Sequence, residues 1–176
     1  MRLSHCHNFQ DFRLLAKKRL PGPIFNYIDG GADDESTMRR NTDAFLNCDL
    51  VPNILRGVTN PDTSVEIMGQ KLATPFYCSP TALQRLFHHR GERAVAAAAE
   101  KQGTLFGVSS LGTVSLEEIA AQTSTPQVYQ FYFHKDRGLN EAMMARAKEA
   151  GIEVMMLTVD STTGGNRERD LRTGFS

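Results

Sequence analysis

The chain has 176 residues, 40% of them hydrophobic and 23% charged, and its 20 lysines and arginines balance its 20 aspartates and glutamates. That is enough chain for one domain with a real core, and the neutral balance argues against nucleic acid or an anionic membrane surface as a partner. The longest apolar helical run, Ala94 to Ala99, is far short of the roughly 20 residues that span a bilayer, Met1 to His7 lack the apolar segment of a signal peptide, and the scattered Cys6, Cys48 and Cys78 argue against a disulfide framework and for a reducing cytoplasm.

Phe9, Phe12, Leu15, Ala16 and Leu20 recur at helical spacing, so residues 8–20 are expected to form an amphipathic helix that breaks at Pro21-Gly22-Pro23. Ile24 to Ile28 reads as a second, short helix stopped by Gly30-Gly31. Asp33-Asp34-Glu35 offers the acidic start of a third helix, running through Met38 and Arg40 to about Phe45. Residues 50–63, punctuated by Pro52, Gly57, Asn60 and Pro61, read as an irregular connection, and Val65 to Leu72 as a small hairpin with its turn near Gly69.

A regular alternation begins at Pro75. The strand Pro75-Phe76-Tyr77-Cys78 runs into Ser79-Pro80-Thr81-Ala82, and a helix follows from Gly91 to Gln102. The strand Thr104 to Val108 ends in Ser109-Ser110, and Ser115-Leu116-Glu117-Glu118 is a capping box for the next helix. The strand Gln127 to Phe131 leads to a helix from about Leu139 to Ala150, closed by Gly151; the strand Val154 to Val159, expected to be buried, ends in Asp160. Four such repeats predict an α/β fold with a parallel sheet and right-handed crossovers. The pattern suits either an open doubly wound sheet or part of a (β/α)₈ barrel, whose eight units take roughly 250 residues.

In either architecture chemistry sits where the strands end. Pro80-Thr81-Ala82 follows a strand directly and holds stiff backbone there; an ordinary βα turn is the plainer reading. Ser109, Gln130 and Thr158 are polar ends of successive apolar strands. One such residue is usually a helix cap, but three in a row, with Gln130 able both to donate and to accept, look like a binding surface. Asp160 at the end of a buried strand must be paired, capped or functional. Tyr27 and Tyr132 lie near element ends, where a core role is the plainer one. Arg167, Arg169 and Arg172 alternate with Glu168 and Asp170, which reads as a solvated helix face or, more sharply, as an anion contact by one arginine. No glycine pattern matches a dinucleotide or phosphate loop. His88-His89 lacks ligand spacing, so no metal site is expected, and His134 reads as surface.

Tyr27-Ile28-Asp29-Gly30-Gly31-Ala32-Asp33-Asp34-Glu35, Ser79-Pro80-Thr81-Ala82, Ser109-Ser110, Gln130-Phe131-Tyr132 and Leu157-Thr158-Val159-Asp160 occur in the order and spacing of the FMN-dependent α-hydroxy-acid oxidoreductases, and Gly165 to Asp170 resembles the bacterial members. The resemblance runs from about residue 8 to the end. It implies a (β/α)₈ barrel, of which this chain is the N-terminal part: residues 1–74 as helices and hairpin, residues 75–176 as the first half of the barrel. It implies FMN at the carboxyl ends of the strands, with Pro80, Thr81 and Ala82 lining the flavin through the backbone and Ser109, Gln130 and Thr158 bonding the ring. Tyr27, Tyr132 and Arg167 are implied to bind the substrate, and Asp160 to pair with a catalytic histidine.

The resemblance further implies oxidation of a lactate-like L-2-hydroxy acid, with oxygen, a quinone or a cytochrome accepting the electrons. The whole enzyme is expected to be a homo-oligomer, cytoplasmic or peripheral at the inner membrane. The family's flavin-contacting lysine, base histidine, substrate arginine and phosphate site belong to later strands, so the 176 residues alone are expected to be inactive. A truncated product with at most weak flavin binding is the alternative. Leu111 stands where glycolate oxidase has a tryptophan, which argues against glycolate. A half-barrel leaves open strand edges, so pairing with another chain is expected.

Overall fold

The computed structural model describes residues 2–175. In chain order the helices are α1 (Phe9–Arg19), α2 (Gly22–Asp29), α3 (Ser36–Asp43), α4 (Glu92–Lys101), α5 (Leu116–Gln122), α6 (Arg137–Glu149) and α7 (Glu168–Thr173). The strands are β1 (Val65–Ile67), β2 (Gln70–Leu72), β3 (Phe106–Ser109), β4 (Gln127–Tyr132) and β5 (Val154–Thr158). The chain divides into two compact units. One is Val58–Thr162; the other combines the chain up to Gly57 with the chain from Thr163.

In the Val58–Thr162 unit, β3, β4 and β5 form a parallel sheet in that order, with Ser109 opposite Gln130 and Tyr132 opposite Thr158. Alternation sends successive side chains to opposite faces. Phe106, Val108, Tyr129 and Phe131 face the helices and join Ala96, Ala99, Ile119 and Ala147 in the main core. Leu105, Val128, Val154 and Met156 face the other way and gather with Leu72 of the hairpin. That hairpin, β1–β2, turns through Met68 and Gly69, both at positive φ (53° and 73°), as a two-residue turn between twisted strands requires. The capping box holds: the Ser115 hydroxyl accepts the Glu118 N–H at 3.2 Å. Asp136 caps α6 in the same way, accepting from Leu139 N–H at 3.1 Å, so that helix starts before the expected Leu139.

Two expectations fail in this sheet. The strand expected over Pro75 to Cys78 shrinks to a single bridging residue, Cys78, beside Phe106. Cys78 keeps both ladder bonds, donating to Leu105 and accepting from Gly107. Prolines at 75 and 80 cannot donate, which confines pairing to the short stretch between them. The last strand, expected to be buried, is half-open: Met155, Leu157 and Val159 are 38%, 55% and 78% exposed. β5 is the edge strand, and none of these three joins the core beneath the helices.

In the other unit, Asn8 caps α1 by accepting the Asp11 N–H at 2.9 Å. Of the apolar stripe expected on α1 only Leu15 is buried; Phe9 and Phe12 line an open groove of about 670 Å³ with Phe25, Ile28 and Met38. α1 ends at Arg19, ahead of Pro21 as expected, and Pro23 sits in the first turn of α2, where no N–H is needed.

Candidate active site

Along each strand the face opposite the helices runs from apolar to polar. On β4 it reads Val128, Gln130, Tyr132; on β5 it reads Val154, Met156, Thr158 and then Asp160; on β3 it ends in Ser109. Because the strands are parallel and in register, the polar ends fall side by side. The hydroxyls of Ser109 and Ser110 and the N–H of Ser110 all donate to Gln130 Oε1 at 3.3 Å, and Gln130 Nε2 donates to Thr158 Oγ1 at 2.8 Å. Ser109 and Gln130 are buried at 8% and 5% exposure, so the row is preorganised rather than adaptable.

Pro80, Thr81 and Ala82 lie beside this row because β3 carries a glycine. A Cβ on Gly107 would stand 2.6 Å from Pro80 Cδ and 2.7 Å from its nitrogen. The loop is tied to its neighbour by Leu83 N–H donating to Leu111 O at 3.2 Å. The N–H groups of Thr81 and Ala82 make no hydrogen bond among the described residues.

Tyr132 ends β4 half-buried. The turn after it is pinned by buried Asn140, whose side chain accepts from His134 N–H at 2.9 Å and donates to His134 O at 2.8 Å. His134 is therefore half-buried and anchored, not the surface residue expected. Asp160 is exposed and makes no hydrogen bond or ion pair among the described residues, so the expectation that burial forces a partner on it does not hold. It lies past the end of the edge strand, where solvent reaches it.

Tyr27 and Arg167 belong to the other unit, and they meet there. The Arg167 guanidinium lies 5.2 Å from the Tyr27 ring centre, donates to the Tyr27 carbonyl and bonds Asp170. Phe175 stacks on the phenol, with ring centres 4.3 Å apart. Of the charged residues around them, Arg172 and Glu168 pair on the solvated face, whereas Arg169 and Asp170 turn inward. Arg169 bonds Asp29 at 3.0 Å and also Glu35, Arg13 bonds Asp29 at 2.9 Å, and Glu35 accepts the Gly31 N–H at 3.1 Å. Asn166 and Asp33 exchange two further bonds, at 2.8 and 3.1 Å. Burial by itself would raise the Asp29 carboxyl, but Arg13 and Arg169 together hold it below the ordinary carboxylate range. Two segments about 140 residues apart are thus locked into one frame around Tyr27 and Arg167.

A family model described as FMN-dependent dehydrogenase matches residues 16–176. The chain belongs to this family. An L-lactate dehydrogenase of Vibrio parahaemolyticus is 40% identical over 166 residues, which are 94% of this chain and 44% of that protein. An L-lactate oxidase of Streptococcus iniae is 41% identical over 96% of this chain and 42% of that protein. Among solved structures, a mandelate oxidase with 3,3-difluoro-2-hydroxy-3-phenylpropionic acid superposes with a TM-score of 0.90 at 38% identity, over 95% of this chain and 50% of that one. The chain spans about half the length of the curated relatives it matches.

The fold of the chain is the N-terminal part of a (β/α)₈ barrel, and the family's cofactor is FMN. No helix among the described residues is long and apolar enough to cross a membrane, and no cluster of His, Cys, Asp and Glu among them fits a metal ion. Two anchoring residues, Asn140 and Glu92, carry no signal in the sequence, and for Arg169 the sequence offers an anion contact but not its partners. Asn140 is an ordinary residue on a polar helix. Glu92 opens an alanine-rich helix, where an acid normally reads as a partner of the helix dipole; that it is wholly buried follows only from the tertiary structure.

Proposed function

We propose that the chain is the N-terminal part of a flavin enzyme that oxidises a small L-2-hydroxy acid of the lactate class to the 2-oxo acid. The observation that carries this reading is the hydrogen-bonded row Ser109–Gln130–Thr158 at the carboxyl ends of three adjacent parallel strands. Donors and acceptors in one line suit the polar edge of an isoalloxazine ring, and the N–H groups of Thr81 and Ala82 suit another. On this reading Pro80, Thr81 and Ala82 hold the ring through the backbone, and Ser109, Gln130 and Thr158 bond it. Bound FMN supplies the two-electron acceptor.

The chain's own residues bind and orient. Arg167 and the phenols of Tyr27 and Tyr132 engage the substrate, one phenol toward the carboxylate and one toward the reacting hydroxyl. Asp160 supplies a carboxylate that stabilises an imidazolium once a histidine base takes the hydroxyl proton. None of the five histidines hydrogen-bonds Asp160 among the described residues. The isolated chain therefore turns over no hydroxy acid. Lactate is favoured over glycolate because the exposed side chain at position 111 is leucine and because relatives are named as lactate enzymes. Oxygen, a quinone or a cytochrome takes the electrons onward.

Anaerobic mixing of the chain and FMN with L-lactate tests this. No bleaching of the flavin is expected from the chain alone. Bleaching is expected when the chain is joined to the remaining barrel strands of the Vibrio relative, faster with L-lactate than with glycolate or mandelate. Bleaching by the chain alone, or a joined protein that prefers glycolate, contradicts the reading.

A further inference from the structure

We infer that Glu92 is a positioning residue for the flavin, a buried carboxylate that sets the loop carrying Pro80, Thr81 and Ala82 against the loop that follows Ser109. The inference rests on the flavin reading above and adds a residue that touches neither ring nor substrate.

Glu92 is the first residue of α4 and is fully buried. Its Oε1 accepts the N–H of Thr113 at 2.7 Å and that of Gln84 at 3.4 Å, and its Oε2 accepts the Thr113 hydroxyl at 2.7 Å. Thr113 Oγ1 in turn accepts the Arg85 N–H at 3.1 Å. Both loops therefore end on one carboxylate. From there each is tied to a flavin-facing group. Gln84 Nε2 donates to Thr81 O at 3.1 Å, while Leu111 N–H donates to Ser109 Oγ at 3.2 Å and Gly112 N–H to Ser109 O at 3.0 Å.

The surroundings are shaped for this contact. Gly91, at φ 49°, lets the 84–86 turn lie against the start of α4; a Cβ there would stand 2.5 Å from Arg85 Cγ and 3.1 Å from Arg85 N. Burying a carboxylate with no cation bonded to it is expensive, and an apolar side chain would fill the same space without that cost. Burial would raise the Glu92 carboxyl, yet the hydrogen bonds it accepts, those from Thr113 foremost, outweigh it and hold the carboxyl below its ordinary range. A charge kept there is explained by the three donors it gathers, all of them from the two loops.

The test is residue-resolved amide hydrogen exchange on the chain and on Glu92→Gln and Thr113→Val, with FMN affinity read from flavin fluorescence on the same samples. In Glu92→Gln the amides of Gln84, Arg85 and Thr113 are expected to exchange about tenfold faster or more, those of Tyr129 and Phe131 in β4 to keep their rates, and FMN to bind about tenfold more weakly. Thr113→Val keeps the carboxylate and removes only the hydroxyl bridge, so it gives the same readout at Arg85 if Glu92→Gln does not fold. Unchanged loop exchange, or equal acceleration of loops and β4, overturns the positioning role. Faster loops with unchanged FMN affinity overturn the link to the flavin. A parent chain that takes up no FMN overturns the flavin reading itself, and the exchange rates still decide whether Glu92 sets the loops.

Discussion

Replacing Arg169 with methionine removes the cation shared by Asp29 and Glu35 while keeping most of the side-chain length. The two carboxylates are only 11% and 13% exposed, and Arg169 itself is 30% exposed. A hydrogen bond to a charged group is worth about 1.5–3 kcal/mol, and breaking a fully buried pair costs about 3–5 kcal/mol. The partial exposure of Arg169, and the bond from Arg13 that Asp29 retains, pull the figure down. A loss of about 2 kcal/mol, or roughly thirtyfold in the local opening equilibrium, is expected. Hydrogen exchange at Phe25 in α2 and Leu171 in α7 reads it directly, with β4 amides as internal reference. Arg169→Lys keeps the charge but not the fork to two carboxylates, so it should fall between the two. A change of less than about twofold at both amides, as for a solvated surface arginine, refutes the network.

Other outcomes follow from the same contacts. The folded-state carboxyl of Asp29 is depressed by Arg13 and Arg169 against the effect of burial, so the unfolded chain binds more protons in acid. The stability it gives is present above the unfolded value of about 3.9 and lost as pH falls through the lower folded value. Helical circular dichroism from about pH 5 to pH 2 should show this loss, and Asp29→Asn should be weaker at neutral pH and flatter in acid. Gly107→Ala places a methyl 2.6 Å from Pro80 Cδ and 3.1 Å from Cys78 O; a loss of about 1–3 kcal/mol in urea unfolding is expected, and an unchanged midpoint contradicts the packing. With Leu157 exposed at 55% on the edge strand and Val159 at 78% just past its end, self-association is expected in sedimentation velocity and should be reduced by Leu157→Lys. A single monomeric boundary for the parent chain contradicts it.

Periodicity and turn chemistry made most of this fold legible in the sequence. The Met68-Gly69 turn, the Ser115 cap and the β–α alternation are local signals, and each has its expected place. The row Ser109, Gln130 and Thr158 was legible because parallel register aligns the ends of successive strands. What could not be read depends on long-range contact. Arg169 pairs across more than 130 residues, and its polar surroundings give no hint of that. Glu92 looks like a surface acid until Thr113 folds over it. The stretch Pro75 to Cys78 has strand-like residues, but flanking prolines limit its pairing to Cys78. The apolar neighbours of Asp160 suggest burial, yet an edge strand has only one paired side.

Flavin recognition is measured most directly by titrating FMN and riboflavin with the chain and with Gln130→Leu, following flavin fluorescence. On the proposed reading the groups of the sheet would bond the ring and not the phosphate, so both flavins should bind the parent chain with similar affinity. Gln130→Leu should weaken both by about tenfold, the equivalent of one net hydrogen bond of about 1.4 kcal/mol. Binding of FMN that Gln130→Leu leaves unchanged, or no binding of either flavin to the parent chain, would contradict a flavin seat on Ser109, Gln130 and Thr158.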